Sequence, residues 1–295
     1  MRIAYLCKRH YTGKDVILDR FGRLYEVPHQ LARLKHEVKA WCLDYHGDKD
    51  ERSQHNVEFG TLTWSSFSVK ATRLLRLPAY FLTLKRELEL FKPDIIIGAS
   101  DIPHVWLAAY LAKKLSISCV IDLYDNFESF GQARIPGFKA LLKYAIRHAH
   151  LVITVSQPLK EKIQQDYRPA SSIHVMTNGI NKNLFTKGDK CHARHTLNLP
   201  LEAKLIGTAG GLSRMKGVDT IYVAWPLLEQ KYPNLHLVLA GPTEASLPIP
   251  YSDRIHYLGM LSEQDVTKFF QALDVGIISL QDSDFGRYCF PQKAY

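Results

Sequence analysis

The sequence predicts an α/β protein of two doubly wound parallel-sheet domains facing a cleft. Short apolar runs alternate with amphipathic stretches along the whole chain, the runs are apolar at consecutive positions, and the alternation breaks at a polar stretch, 186–200, before restarting. Strands that are apolar throughout are buried on both faces of a sheet, which requires crossover helices. Tandem sheets of this kind bind ligands beyond the carboxyl ends of their strands.

In chain order, the first domain (1–185) reads as strands at "RIAYLC" (2–7), "VKAWCL" (38–43), "DIIIGA" (94–99), "SCVIDL" (118–123) and "LVITVS" (151–156). Between the third and fourth, Val105, Leu107, Ala108, Leu111, Ala112 and Leu115 recur at helical spacing. The polar residues 186–200 read as a linker. The second domain (201–295) reads as a strand in 203–211, a helix over 218–231, strands at 235–241 and 255–259, a helix over 263–272 and a strand at 275–279.

Composition bounds the class. With 295 residues and 46% hydrophobic content, the chain can bury a sizeable core. Five scattered cysteines (7, 42, 119, 191, 289) form no CxxC or Cys/His ligand spacing, so neither a disulfide framework nor a zinc site is expected. The same holds for His29/His36, His148/His150 and His192/His195, which show no accompanying carboxylate or cysteine pattern that argues for a metal. A reducing cytoplasm fits, and the apolar run 3–7 is too short for a signal peptide or a membrane span.

Of the net charge of +9, residues 1–200 hold 30 Lys/Arg against 19 Asp/Glu, and 201–295 hold 8 against 10. The excess suits an anionic partner of the first domain, or a generally solvated basic surface. Segment 69–88 joins Lys70, Arg73, Arg76, Lys85 and Arg86 to Leu74, Leu75, Leu77, Tyr80, Phe81 and Leu82, interrupted by Pro78. It suits an anionic membrane surface or a helix packed on its sheet. No aromatic-and-basic motif for nucleic acid stands out.

The most informative stretch is "GTAGGLSRMKGVD" at 207–219, where a strand empties into a Gly-rich turn and Arg214 and Lys216 precede a helix. Backbone N–H groups, a helix dipole and two cations suit a diphosphate, although glycines also simply make tight turns. Two cations at a helix mouth exceed what a structural turn needs.

These residues resemble retaining glycosyltransferases of the GT-B fold, family 4. "GGLSRMKG" (210–217) matches the spacing of their "GRLxxxKG"-like loop, with Gly211 where the family's Arg stands. "TVSQ" (154–157), "TNGINKNLF" (177–185), "LHLVLAG" and "IHYLGMLSEQDVTKFFQALDVGIIS" follow in the family's order. The resemblance implies two Rossmann-like domains and a nucleotide-diphosphate sugar as donor substrate, with no cofactor and no metal. It implies a donor site of Gly210, Gly211, Arg214, Lys216, Tyr288, Cys289, Phe290 and Pro291. Tyr288 takes the first acidic place of an E-x7-E pattern whose second place falls just past Tyr295. The second domain is therefore expected to be incomplete.

On the first domain, "VIDLYDNFES" (120–129) looks like the family's cleft-facing strand end, with Asp125 in the Asp place and Tyr124 where many members have His. Asp122 and Asp125 can equally cap the following segment. The long loop 8–34 carries Gly13, Asp19, Arg20 and Arg23 and suits an acceptor site. Gly13, Asp19, Arg20, Tyr124 and Asn126 are the acceptor-side candidates, and Asp125, Arg214 and Lys216 the catalytic ones.

The expected activity is transfer of a sugar to a glycan or lipid-linked acceptor with retention of configuration. The resemblance sets this in bacterial cell-surface polysaccharide or lipopolysaccharide synthesis, in the cytoplasm or peripherally at the inner membrane. The alternative is a catalytically incomplete fragment that binds nucleotide or a partner chain.

Overall fold

The computed structural model describes residues 1–11, 13–47, 49–69 and 75–295. The chain divides into two compact units, Met1–Thr177 and Asn178–Tyr295. The basic excess follows this division, with 26 Lys/Arg against 18 Asp/Glu in the first unit and 12 against 11 in the second.

The first unit runs β1 (Arg2–Lys8), β2 (His10–Tyr11), β3 (Lys14–Asp15), α1 (Gly22–Arg33), β4 (Glu37–Asp44), β5 (Glu51–His55) and β6 (Thr61–Ser68). It continues with α2 (Leu77–Phe91), β7 (Ile95–Gly98), α3 (Ile102–Leu115), β8 (Ser118–Leu123), α4 (Phe138–His148), β9 (Leu151–Thr154), α5 (Gln157–Tyr167) and β10 (Ser172–Val175). Among the described residues its main sheet has the order β10-β9-β8-β7-β1-β4-β6-β5. All neighbours pair in parallel except β5 with β6. The order reverses between β1 and β7, so the crevice beyond their carboxyl ends is the topological switch point. There the Lys8 N–H donates to Ser100 Oγ at 2.9 Å.

The core strands are buried because both faces are covered: Ile3 to Cys7 of β1 are all buried. Side chains cap the starts of α3 and α5. Asp101 accepts from the His104 N–H at α3, and Ser156 from the Leu159 N–H at α5.

The second unit runs α6 (Lys190–Thr196), β11 (Lys204–Ala209), α7 (Val218–Lys231), β12 (Leu235–Ala240), β13 (Ile255–Tyr257), α8 (Glu263–Ala272) and β14 (Val275–Gly276). Its sheet order is β13-β12-β11-β14, all parallel, with the switch point between β11 and β14. Val238 packs with Leu205, Phe269 and Ala193, whereas its neighbours Leu237 and Leu239 pack with Val218, Ile221 and Trp225. Successive strand residues point to opposite faces, so α6 and α8 cover one face and α7 the other.

Two expectations are corrected. Residues 186–200 are no free linker, because α6 packs into the second unit. Its buried Arg194 donates to the carbonyls of Ala272, Leu201 and Ala203 and pairs with Asp274 at 2.8 Å. A guanidinium has five donors, enough to make a polar-looking helix part of a core. Pro78 does not interrupt a helix; it stands in the first turn of α2, where a missing N–H costs nothing. Lys70, Arg73 and Leu74 of the proposed basic segment lie outside the described residues.

Candidate functional site

In the second unit, β11 ends at Ala209 and opens into Gly210, at φ 121°. A Cβ at Gly210 or Gly211 would meet nothing within 4 Å, so packing does not demand glycine there, and the backbone stays open to a ligand. A single 3-10 turn, Arg214–Lys216, leads to Gly217, which sits at φ 70° before α7. A Cβ on Gly217 would lie 1.9 Å from the Ser279 carbonyl oxygen, so this position admits only glycine. Ser279 closes the contact by donating its hydroxyl to the Lys216 carbonyl at 3.1 Å. The turn, the α7 N-terminus and the segment after β14 thus form one unit at the switch point.

The two cations there differ. The Arg214 guanidinium is exposed and leans on Asp219 at 4.0 Å and on the Ser246 carbonyl at 3.5 Å. Its backbone N–H donates to Glu244 at 3.0 Å. That carboxyl is held below its usual range first by the Ser246 hydroxyl and then by this N–H. Lys216 instead places Nζ 4.1 Å from the centroid of the Phe285 ring, a cation–π contact that leaves its N–H groups usable.

Phe285 opens the segment that carries the remaining donor candidates. Tyr288 and Cys289 turn their N–H groups onto the Phe285 carbonyl, at 3.3 and 3.1 Å. The Phe290 carbonyl accepts from Asn178 Nδ2 at 3.3 Å. Pro291 precedes the 3-10 turn Gln292–Ala294. The expected backbone cradle at 289–291 is therefore partly used up internally. The closer approach to the Gly-rich turn comes from Lys293, which the sequence reading missed: its Nζ donates to Thr208 Oγ1 at 2.8 Å and lies 3.3 Å from the Ala209 carbonyl.

In the first unit, Tyr11, Lys8, Tyr124 and Asp125 gather beyond the ends of β1 and β8. The Tyr11 ring meets Tyr124 edge-on at 5.3 Å, with Lys8 Nζ 5.8 Å from its centroid. Burial and then the Asp125 charge push the Tyr11 hydroxyl up to about 12. Tyr124 and Asn126 do not present polar groups to an acceptor. Tyr124 is buried with its hydroxyl on the Ser100 carbonyl at 2.9 Å, and Asn126 is buried and accepts from the Glu128 N–H at 3.2 Å. Asn126, rather than Asp122 or Asp125, caps the following turn.

Asp122 is instead paired with Arg23, which also donates to the Met176 carbonyl at 2.6 Å. Gly13, Asp19 and Arg20 are exposed. Gly13, at φ 77°, turns the β2–β3 hairpin, and Asp19 accepts from the Asp15 N–H. Arg20 sits where its charge bears on Tyr25 and His55. Of the five acceptor-side candidates, then, Tyr124 joins the Tyr11–Asp125 group through its ring, and Asn126 through its backbone N–H, which donates to Asp125 Oδ1 at 3.0 Å. Among the described residues no group of three or more His, Cys, Asp or Glu is placed to hold a metal.

Residues 23–184, more than half of the chain, match the family model described as Glycosyltransferase Family 4. The chain belongs to glycosyltransferase family 4. A second model, Glycosyl transferases group 1, matches residues 203–290. A D-inositol 3-phosphate glycosyltransferase of Corynebacterium urealyticum is 26% identical over 65% of this chain and 52% of its own length. An uncharacterized glycosyltransferase of Methanocaldococcus jannaschii is 24% identical over 62% of this chain and 52% of its own. The chain thus spans about half the length of these curated relatives.

Solved structures support the GT-B fold. Sucrose-phosphate synthase from Thermosynechococcus elongatus superposes with a TM-score of 0.69 at 15% identity, over 94% of this chain and 75% of that one. Anabaena HepE in complex with UDP does so with a TM-score of 0.65 at 18% identity, over 94% and 73%.

Proposed function

We propose that this family member moves a sugar from a nucleotide-diphosphate sugar to an acceptor hydroxyl with retention of configuration. The observation that carries the reading is the turn 210–217: open backbone at Gly210 and Gly211, then Lys216 at the mouth of α7, locked by the Gly217–Ser279 contact. In such a transfer the bond from the sugar to the diphosphate breaks, the acceptor oxygen takes its place, and the acceptor proton leaves with the phosphate. Negative charge builds on the diphosphate, so cations and N–H groups aimed there act most strongly in the transition state. Lys216 is the principal cation in this scheme, with Arg214 beside it.

The HepE complex makes UDP the first nucleotide to try, and the inositol phosphate relatives favour a phosphorylated polyol as a first acceptor class beside lipid-linked glycans. On the first unit, Asp125, Tyr11 and Lys8 form the proposed acceptor-side set. The deciding experiment follows nucleoside diphosphate release from UDP-, GDP- and ADP-sugars. Lys216→Ala should lower kcat/KM about a hundredfold to a thousandfold, the cost of one lost charge-stabilising group, with the melting temperature unchanged. Near-normal transfer by that variant removes Lys216 from the mechanism.

The anionic partner of the first unit is proposed to be a membrane surface, from the cytoplasmic side, met by α4. Residues 130–150 hold Arg134, Lys139, Lys143 and Arg147 and no acidic residue, and all four are exposed. Phe130 and Ile135 are exposed beside them. Lys113, in the last turn of α3, joins the strip through His148 at 3.2 Å. Each basic residue held at an anionic surface adds about 1 kcal/mol. Among the described residues no helix is long and apolar enough to cross a membrane.

A further inference from the structure

Lys293 is a partly buried ammonium in an electrostatically awkward place. Its Nζ rests on Thr208 Oγ1 at 2.8 Å and near the Ala209 carbonyl at 3.3 Å, the last two residues of β11 before the Gly210 turn. Both are neutral acceptors, and among the described residues no carboxylate pairs with it. Its near neighbour in charge is another cation. Burial first, and then the charge of Lys216, hold its pKa below the usual lysine range. Two ammonium groups brought together without a counter-ion oppose folding, and arrangements of this kind mark sites built for an anion.

The side chain reaches this position from the segment after Pro291, which Asn178 and Gln292 tie to the start of the unit through the Phe290 and Gly179 carbonyls, at 3.3 and 2.8 Å. An ammonium has three donors, and the two neutral acceptors leave capacity for a phosphate oxygen.

We infer that Lys293 is a third cation of the diphosphate site, acting with Lys216 on the anion that the 210–217 turn holds. The inference rests on the donor reading above. It assigns the 291–295 segment a part in binding phosphate that backbone contacts alone do not provide.

Calorimetric titration of the 295-residue chain with UDP, GDP, ADP and the matching nucleosides tests it, using Lys216→Gln, Lys293→Gln and Lys293→Arg. Gln at 293 keeps donors for Thr208 and the Ala209 carbonyl while removing the charge. Loss of a hydrogen bond to a charged group should weaken diphosphate binding by about tenfold or more in Lys293→Gln. Nucleoside binding should stay within about twofold, and the salt dependence of diphosphate affinity should become shallower, since one fewer cation is engaged. Lys293→Arg should retain most of the affinity.

Unchanged diphosphate affinity in Lys293→Gln, alongside a clear loss in Lys216→Gln, overturns the role of Lys293 and leaves the donor reading standing. Equal losses for diphosphate and nucleoside make Lys293 a structural tie and overturn it as well. If the wild-type chain binds none of the three diphosphates, the donor reading fails first and the inference with it.

Discussion

Arg23 and Asp122, 99 residues apart in the chain, meet in a two-point contact in which Nε and Nη2 each lie 2.8 Å from one carboxylate oxygen. Both side chains are nearly buried. The pair ties the start of α1 to the carboxyl end of β8, near enough for both charges to bear on Tyr11, and raises the Arg23 pKa against the opposing effect of burial. Asp122→Ala should destabilise the first unit by about 3–5 kcal/mol, because the remaining guanidinium is left buried and uncompensated. Urea unfolding measures this. A double replacement, Arg23→Met with Asp122→Leu, should lose much less, and an equal loss would show that the pair itself matters little beyond its packing.

At Gly217 two independent constraints coincide, a left-handed backbone and a neighbouring carbonyl that excludes any Cβ. Gly217→Ala should cost about 1–2 kcal/mol from the backbone conformation alone, with the Ser279 contact adding to it. UDP binding should fall together with the melting temperature. Gly211→Ala, whose Cβ faces open space at an ordinary φ, should leave the melting temperature nearly unchanged and report on ligand contact alone.

Asp274 gives the second unit an acid-sensitive element. Burial pushes its carboxyl up, but the Leu205 N–H, Lys190 and Arg194 outweigh this and hold it at about 2. A carboxyl depressed in the folded state stabilises above its unfolded pKa of about 4 and loses that contribution as pH falls toward the folded value. Stability should therefore drop between about pH 4 and pH 2, and Asp274→Asn should flatten this limb while lowering stability at neutral pH. Thermal melts across that window check both signs.

For the basic strip on α4, cosedimentation with vesicles is the measurement. Binding to vesicles rich in anionic lipid should exceed binding to neutral ones and weaken with salt. Lys139→Glu, Lys143→Glu and Arg147→Glu together should reduce it to the neutral level. Equal binding by that variant would remove α4 from the surface.

The apolar strands of both units were legible because continuous burial leaves a run that needs no partner to be recognised; β8 and the helices at 218–231 and 263–272 fall where the pattern places them. The polar edge strand β5, "ERSQH", left no such signal, since none of its residues is apolar and it is held by backbone pairing with β6 and by polar side-chain contacts such as Glu51 with Arg9. The turn at 207–219 was readable because glycines and cations stand together within one local segment. Asp122 was not, because its partner Arg23 lies across the fold. Lys293 was invisible for the same reason: nothing in "PQKAY" says that the amine returns to the end of β11. Arg194 read as linker because charge in a short polar run looks solvated until its carbonyl partners are known.

Gly210 and Gly241 bring two backbones into direct contact: a Cβ on Gly241 would lie 2.1 Å from the Gly210 carbonyl oxygen. Gly210 donates its N–H to Ala240, and Leu212 bonds to Pro242 across the same seam. The glycine-rich turn is therefore half of a paired structure whose other half lies some thirty residues on. Transplanting 207–217 into another scaffold without 240–243 would move the letters and lose the shape. Sequence change therefore has more room in the segments that flank the seam than in the seam itself.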